Sequence, residues 1–259
     1  MRGVFARLIY IFDNKYILKA NGRYDGSSRF AKGQRFGLFP SYSAAWVASK
    51  EQFMESLNEA AKLSNLKLKV SYGALGNQGF SYGNAGDLGY YASMSEMALI
   101  NQIGPFIDGS RPQGIQTPGY AAPGNLTWEK TRSLTWGVEL GFFDDRLDLS
   151  ADIYTRYTEG MITGMMELPS VFGASTPGGN VADLKNKGWE INLGWRDNVS
   201  LAGSPFSYSV RLMLWDSRSW ITKFDNEDKV ISSHYAGKEI GEMWGIHHPR
   251  KAPTQEAAR

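Results

Sequence analysis

The chain has 259 residues and a formal charge of +2, from 28 Lys and Arg against 26 Asp and Glu. It has no cysteine, which excludes disulfides, thiolate catalysis and Cys-based metal sites. Charge is spread without a basic block, so nucleic acid is not expected as a partner. No run of about 18 apolar residues is present, and no transmembrane helix is expected. An aromatic share of 13% together with 29 glycines suits strands and turns.

Residues 1–12, MRGVFARLIYIF, read as a strand with Ala6, Leu8, Tyr10 and Phe12 on one side. A signal peptide is disfavoured there, because Arg7 interrupts the apolar stretch and no small-residue cleavage site follows. Asp13-Asn14 turns the chain into a second strand, Lys15–Tyr24. Its apolar face carries Tyr16, Leu18, Ala20 and Tyr24, and Lys19, Asn21, Arg23 and Asp25 lie opposite. Successive strand side chains point to opposite sides, so this alternation separates an apolar face from a polar one. The polar loop DGSSRFAKGQR follows, then a third strand over Phe36–Val47 with Phe36, Leu38, Pro40, Tyr42, Ala44 and Trp46 aligned.

Residues 49–63 break the period of two. Ser49 and Gln52 have capping-box spacing, and Phe53, Leu57 and Ala61 recur every four residues, which predicts a helix of about three turns. Alternation returns at Leu66–Gly73, with Leu66, Leu68, Val70 and Tyr72 against Lys67, Lys69 and Ser71. Residues 74–127 are rich in Gly, Asn, Pro and Tyr and have little period; so long an irregular stretch marks a functional loop, with a hairpin expected around Leu88–Met97.

Trp128–Phe143 and Arg146–Thr158 form the cleanest amphipathic pair, joined at Asp144-Asp145. Leu134, Trp136, Val138, Leu140 and Phe142 share a face, as do Leu147, Leu149, Ala151, Ile153 and Tyr157. An irregular stretch over Glu159–Lys185 precedes strands at Asn186–Arg196 and Phe206–Trp215. Residues 216–240 read as polar and irregular, Glu242–Ile246 as the start of another strand, and His247–Arg259 as a tail.

These elements predict an all-β, antiparallel up-and-down meander of about nine or ten strands. Short and long connections alternate, apart from the helical one, so the short turns gather at one end. A transmembrane barrel has that asymmetry, as well as strands of the roughly 9–11 residues a tilted span requires. Aromatics fall near both ends: Phe12, Tyr16, Trp46, Phe142, Trp195 and Phe206 at the short-turn end, and Tyr24, Phe36, Tyr72, Trp128, Tyr157 and Trp215 at the other. Two such girdles match the two membrane interfaces. The bland alternative is a soluble, secreted β-rich carbohydrate-binding module that buries the same apolar face.

Four successive segments carry a resemblance. RYDGSSRFAKGQRFGLFPSYSAAW, LSNLKLKVSYGALGNQ, NLTWEKTRSLTWGVELGFFDDRLDLSADIYTRYTEGMI and LPSVFGASTPGGNVADLKNKGWEINLGWR resemble, in order, the C-terminal barrel region of SusC/RagA-type TonB-linked outer-membrane proteins. The resemblance covers roughly Arg2 to Gly245. It implies a piece of a 22-stranded outer-membrane transporter for oligosaccharides or peptides, working with a SusD-like surface lipoprotein and the TonB complex. In the complete pattern a signal peptide, a TonB-contacting segment and a plug come before this region, and further strands follow it. The chain is therefore expected to be a fragment that is not transport-competent alone, with residues 1–246 as partial barrel and 247–259 as a tail outside the family pattern.

Catalysis has no candidate constellation. His247 and His248 lie in the tail, His234 stands alone, and Asp144, Asp145, Asp225, Glu227 and Asp228 sit in expected turns, where acids serve turning and solubility. GALGNQG lacks the Lys-Ser/Thr ending of a phosphate loop. No enzyme activity, cofactor or metal is expected. If the sheet is a barrel wall, the lumen side carries Lys19, Arg23, Asp25, Lys67, Lys69, Glu129, Glu139, Asp148, Asp152, Arg156 and Glu190. Tyr82, Tyr90, Tyr91, Tyr120 and Trp128, in or beside the longest loop, are candidate ligand contacts through ring stacking, with loop packing as the alternative.

Overall fold

A computed structural model describes residues 2–79, 98–100, 114–116, 125–164, 171, 178–201, 204–226, 228–231 and 233–245. The strands are β1 (Arg2–Phe12), β2 (Tyr16–Gly26), β3 (Phe36–Val47), β4 (Leu63–Asn77), β5 (Ala98–Ile100), β6 (Gly114–Gln116), β7 (Glu129–Phe142), β8 (Leu147–Gly164), β9 (Gly178–Leu201) and β10 (Ser204–Lys223). Eight of them form one sheet in the order β1-β2-β3-β4-β7-β8-β9-β10, every pairing antiparallel. Among the described residues the short strands β5 and β6 pair only with each other. The expected hairpin at Leu88–Met97 lies outside the described residues.

Among the described residues nothing joins β1 to β10, so the meander is an open wall. Connections at one end span 13–15, 48–62, 143–146 and 202–203; at the other they span 27–35, 78–128 and 165–177. Tight turns at the first end use mirror-image geometry, which matches strand twist and needs positive φ at both central residues. Asp13 and Asn14 sit at φ 50° and 49°, and Lys15 N–H donates to Phe12 C=O at 3.0 Å. Asp144 and Asp145 repeat this at 57° and 61°.

Register fixes the faces. One row across the sheet reads Tyr10, Leu18, Ala44, Val70, Trp136, Ile153, Trp189 and Asp216. The apolar band lies above this row on β2, where it reaches Tyr24, and below it on β9, where it reaches Trp195. Such a slide is the stagger that barrel strands need in order to tilt. Large apolar side chains in the band stay exposed, including Leu18, Leu38, Trp136, Ile153, Val210 and Leu212. A soluble sheet buries that surface; a membrane wall presents it to lipid.

Three strands run further than their alternation suggests. β8 extends to Gly164, β9 begins at Gly178 within the expected irregular stretch, and β10 continues through Asp216–Lys223. Polar side chains are tolerated there because the partner strands satisfy the backbone: Ser217 to Trp220 pair with Gly188 to Lys185. A bulge in β8 is set at Gly160, whose φ of +66° favours glycine and whose N–H donates to Asp183 Oδ1 at 2.7 Å. The strand expected at Glu242–Ile246 does not form over 242–245. Pairing to the β10 edge occurs just before it, where Ile221 N–H donates to Lys238 C=O at 2.9 Å and Ile240 N–H to Ser219 C=O at 2.8 Å.

The helical connection is shorter than predicted. Two 3-10 turns, Ala48–Lys50 and Gln52–Met54, precede α1 (Glu55–Ala61), and Ser49 makes no capping bond to α1. Glu51 takes over the organising role. Its carboxylate accepts bonds from Tyr16 Oη at 2.6 Å, Trp46 Nε1 at 3.1 Å and Lys15 Nζ at 3.3 Å, tying the connection under the β1–β2 turn. Those donors hold Glu51 below its ordinary carboxylate pKa, the Tyr16 hydroxyl most of all, and a hydrogen bond to Asp13 leads in raising Lys15.

Candidate functional site: the polar face

All eleven charged residues expected on the lumen side fall on the polar face by register. One row runs Lys69, Gly137, Asp152, Glu190 and Trp215 across β4, β7, β8, β9 and β10. Lys69 Nζ lies 3.1 Å from Glu139 Oε1 and 3.1 Å from Asp152 Oδ1, and Lys67 Nζ lies 3.0 Å from Glu139 Oε2. Lys69 reaches Asp152 across the whole width of β7. The residue between them is Gly137, where an added Cβ would overlap both side chains. Asp148 lies over Gly194 in the same manner. Charged side chains thus lie along the wall and link strands, which strengthens paired charges in a partly desolvated setting.

Toward the long-loop end, Arg23 Nε bonds Asp25 Oδ2, and Asp25 is 5% exposed. The DGSSRF segment folds down onto this face. Phe30 and Leu126 are fully buried, packed with Phe39 and Trp128, with ring centroids of 5.3 Å for both Phe30–Trp128 and Phe39–Trp128. Trp128 Nε1 donates to Arg35 C=O at 3.1 Å, and Arg29 Nη1 donates to Gln78 C=O at 3.2 Å. Loop 27–35 therefore fastens both ends of the 78–128 connection. Below it lies a concavity of about 1250 Å³, lined among others by Arg7, Arg23, Asn21, Ser41, Arg156 and Phe39. Arg156 lies over the Tyr154 ring at 5.6 Å.

The loop candidates divide. Trp128 is 3% exposed and its ring faces go to packing, while Tyr82, Tyr90, Tyr91 and Tyr120 lie outside the described residues. Two aromatics assigned to the upper girdle face elsewhere. Trp128 enters the buried cluster, and Trp215 pairs with Glu190 on the polar face, whereas Tyr24, Phe36, Tyr72 and Tyr157 do lie on the apolar side. Among the described residues no group of three or more His, Asp or Glu is arranged to hold a metal ion. His234 packs edge-on against Phe224, and His247, His248 and Glu227 lie outside the described residues. What sequence reasoning missed is the clamp: DGSSRF looked like a solvent loop, and only Phe30, an aromatic amid polar residues, signalled burial.

The β-barrel model of TonB dependent receptor-like proteins matches residues 2–241. A TonB-dependent receptor of Formosa agariphila is 29% identical over 258 residues, which is 95% of this chain and 24% of that protein. The TonB-dependent receptor SusC of Bacteroides thetaiotaomicron is 30% identical over 241 residues, 91% of this chain and 22% of that one. A solved structure of the RagAB peptide transporter superposes with a TM-score of 0.66 at 26% identity, covering 86% of this chain and 22% of its counterpart. The chain thus spans less than a quarter of these relatives' length. Over that span it belongs to the TonB-dependent receptor family, as part of its transmembrane β-barrel.

Proposed function

We propose that this chain is a wall segment of an outer-membrane importer of oligosaccharides or other nutrients such as peptides, a reading supported by its likeness to the TonB-dependent receptor SusC and to the RagAB peptide transporter. Residues 1–246 are the barrel part in this reading. The observation that carries it is the division of one continuous sheet into an exposed apolar face and a polar face crossed by the Lys67–Glu139–Lys69–Asp152 ladder. The polar face is the lumen wall, and the 1250 Å³ concavity is part of the nutrient path, with Arg7, Asn21, Arg23 and Arg156 as polar contacts. A SusD-like lipoprotein sits over the long-loop end, and the TonB complex supplies the energy. Transport needs a closed cylinder, because unpaired edge groups in hydrocarbon cost several kcal/mol each; an open sheet does not transport alone.

The test is detergent dependence followed by ligand binding. Purified in neutral detergent, the chain gives a β-rich circular dichroism spectrum, and it precipitates when detergent is removed. A folded, monodisperse species without detergent or lipid would sink the barrel reading in favour of a soluble carbohydrate-binding module. Equilibrium dialysis against a neutral oligosaccharide series and a peptide pool then separates the substrate classes: retention of peptides alone removes the oligosaccharide assignment.

A further inference from the structure

The apolar face is not apolar to its top. On β7, β9 and β10, immediately beyond the band on the long-loop side, register places Lys130, Arg132, Lys185, Lys187 and Arg218 on the lipid-facing side. Arg132, Tyr157 and Lys185 form one row, and Thr155, Lys187 and Arg218 the next. The row below carries Trp136, Ile153 and Trp189, so the cations stand directly on the edge of the band. On β2, β3 and β4 the same side carries no charge within the strands and bears Tyr24, Phe36, Leu38, Tyr42 and Tyr72 instead.

Acids offset part of this charge. Arg132 pairs with Glu159 at 3.1 Å, Arg218 is 3.9 Å from Glu239, and Asp216 lies one pair below Arg218. Lys185 lies over the Tyr157 ring at 5.2 Å. Lys187 has no carboxylate partner among the described residues and stands directly opposite Arg218. Like charges facing each other across a strand pair repel, and at a membrane boundary water screens them poorly. An anion between them removes that penalty. Since these side chains face lipid, the anion that reaches them at membrane depth is a headgroup.

We propose that Lys187 and Arg218, supported by Lys185 and Arg132, form a binding site for a net-anionic lipid headgroup, one whose phosphate is not neutralised by an attached cation, in the leaflet on the long-loop side. This rests on the membrane-wall reading of the apolar face. The acyl chains lie along Trp136, Ile153 and Trp189, while the phosphate sits between ammonium and guanidinium groups, which favour phosphate oxygens through charge-assisted bonds. The lumen face plays no part.

The test uses the full chain in micelles of a neutral detergent, titrated with phosphatidic acid or phosphatidylcholine carrying the same dibrominated tails. Bromine quenches tryptophan fluorescence on contact, and Trp189 lies beside the site. Phosphatidic acid is expected to quench at lower mole fraction than phosphatidylcholine. Lys187→Ser and Arg218→Ser should each cut that preference about fivefold, with quenching by phosphatidylcholine unchanged. Thr155→Lys, which adds a cation to the same row, should raise it. Excess inorganic phosphate should not displace the lipid. Equal quenching by the two lipids, or a preference that survives both serine variants and ignores Thr155→Lys, overturns the site. Displacement by inorganic phosphate shows a free-anion site and overturns the lipid assignment. Quenching by neither lipid means the apolar face does not meet lipid, and the membrane-wall reading falls first.

Discussion

Lys69 and Asp152 lie on strands that do not touch, and yet their charged atoms are 3.1 Å apart. The strand between them contributes Gly137, and the ion pair passes over the bare backbone. Three strands are therefore cross-linked by one pair of side chains, at a position where any larger residue on β7 would force them apart.

Gly137→Ala should lower the urea midpoint of the chain in micelles. The lost pair, with side chains 32% and 19% exposed, contributes about 0.5–1 kcal/mol, and crowding by the new methyl adds about 1–3 kcal/mol. Gly73→Ala serves as the control, because its nearest neighbour is Ser41 Cβ at 3.6 Å, an ordinary contact. An equal midpoint for the two variants would mean that Gly137 is not the passage for the bridge.

Phe30→Ala should cost about 3–5 kcal/mol locally, the usual loss for a fully buried phenylalanine. Trp128 gains water contact on both its Phe30 side and its indole N–H side, so its emission shifts to the red. Limited proteolysis should then cut within 78–128 faster than in the parent chain, since loop 27–35 no longer fastens the base. Unchanged cutting would show that the clamp does not control this connection.

Glu51 gives the short-turn end a pH dependence. Its folded pKa is depressed, so its contribution is present above the ordinary carboxylate value of 4.5 and is lost as pH falls through the lower folded value. Lys15 is raised above 10.5, so its contribution holds below that value and is lost as pH rises through the folded one. Amide exchange over 48–61 should stay flat between about pH 5 and 10 after correction for intrinsic rates, and lose protection on the acid side. Glu51→Gln should abolish the acid limb. Its persistence in that variant would assign the effect to other carboxylates.

Val138 and Ser133 lie on opposite faces of β7. Arginine at Val138 should cost about 2–4 kcal/mol near the membrane midplane, and arginine at Ser133 on the polar face under about 0.5 kcal/mol. Folding yield into phosphatidylcholine vesicles measures both. Comparable yields would contradict the assignment of faces.

Most of the wall was legible because period-two alternation and turn residues are local signals. Leu18–Tyr24 and Leu134–Phe142 state their faces within a few residues of sequence, whereas β1 carries Phe5, Ile9 and Ile11 on its polar face as well. The full lengths of β8, β9 and β10 were not legible, since Asp216–Lys223 is held by ladder bonds to β9 and not by its own pattern. Trp215 was placed by its height along the strand, but parity decides the face, and parity puts it with Glu190. The cluster of Phe30 and Trp128 joins residues far apart in sequence, a relation that no local window contains. The eleven charged positions on the polar face followed from alternation; which of them pair did not, because that depends on register and on the gap at Gly137.

Order in the sheet follows order in the chain, interrupted only by the excursion that holds β5 and β6. Among the described residues each hairpin therefore pairs only with its predecessor and its successor along the wall. Deleting or duplicating a hairpin at its short turns changes the circumference of a cylinder by two strands and leaves every other pairing in place. A lineage built on such a ribbon can widen or narrow its bore in whole hairpins, without rethreading the chain and without altering the alternation that keeps lipid on one side and water on the other.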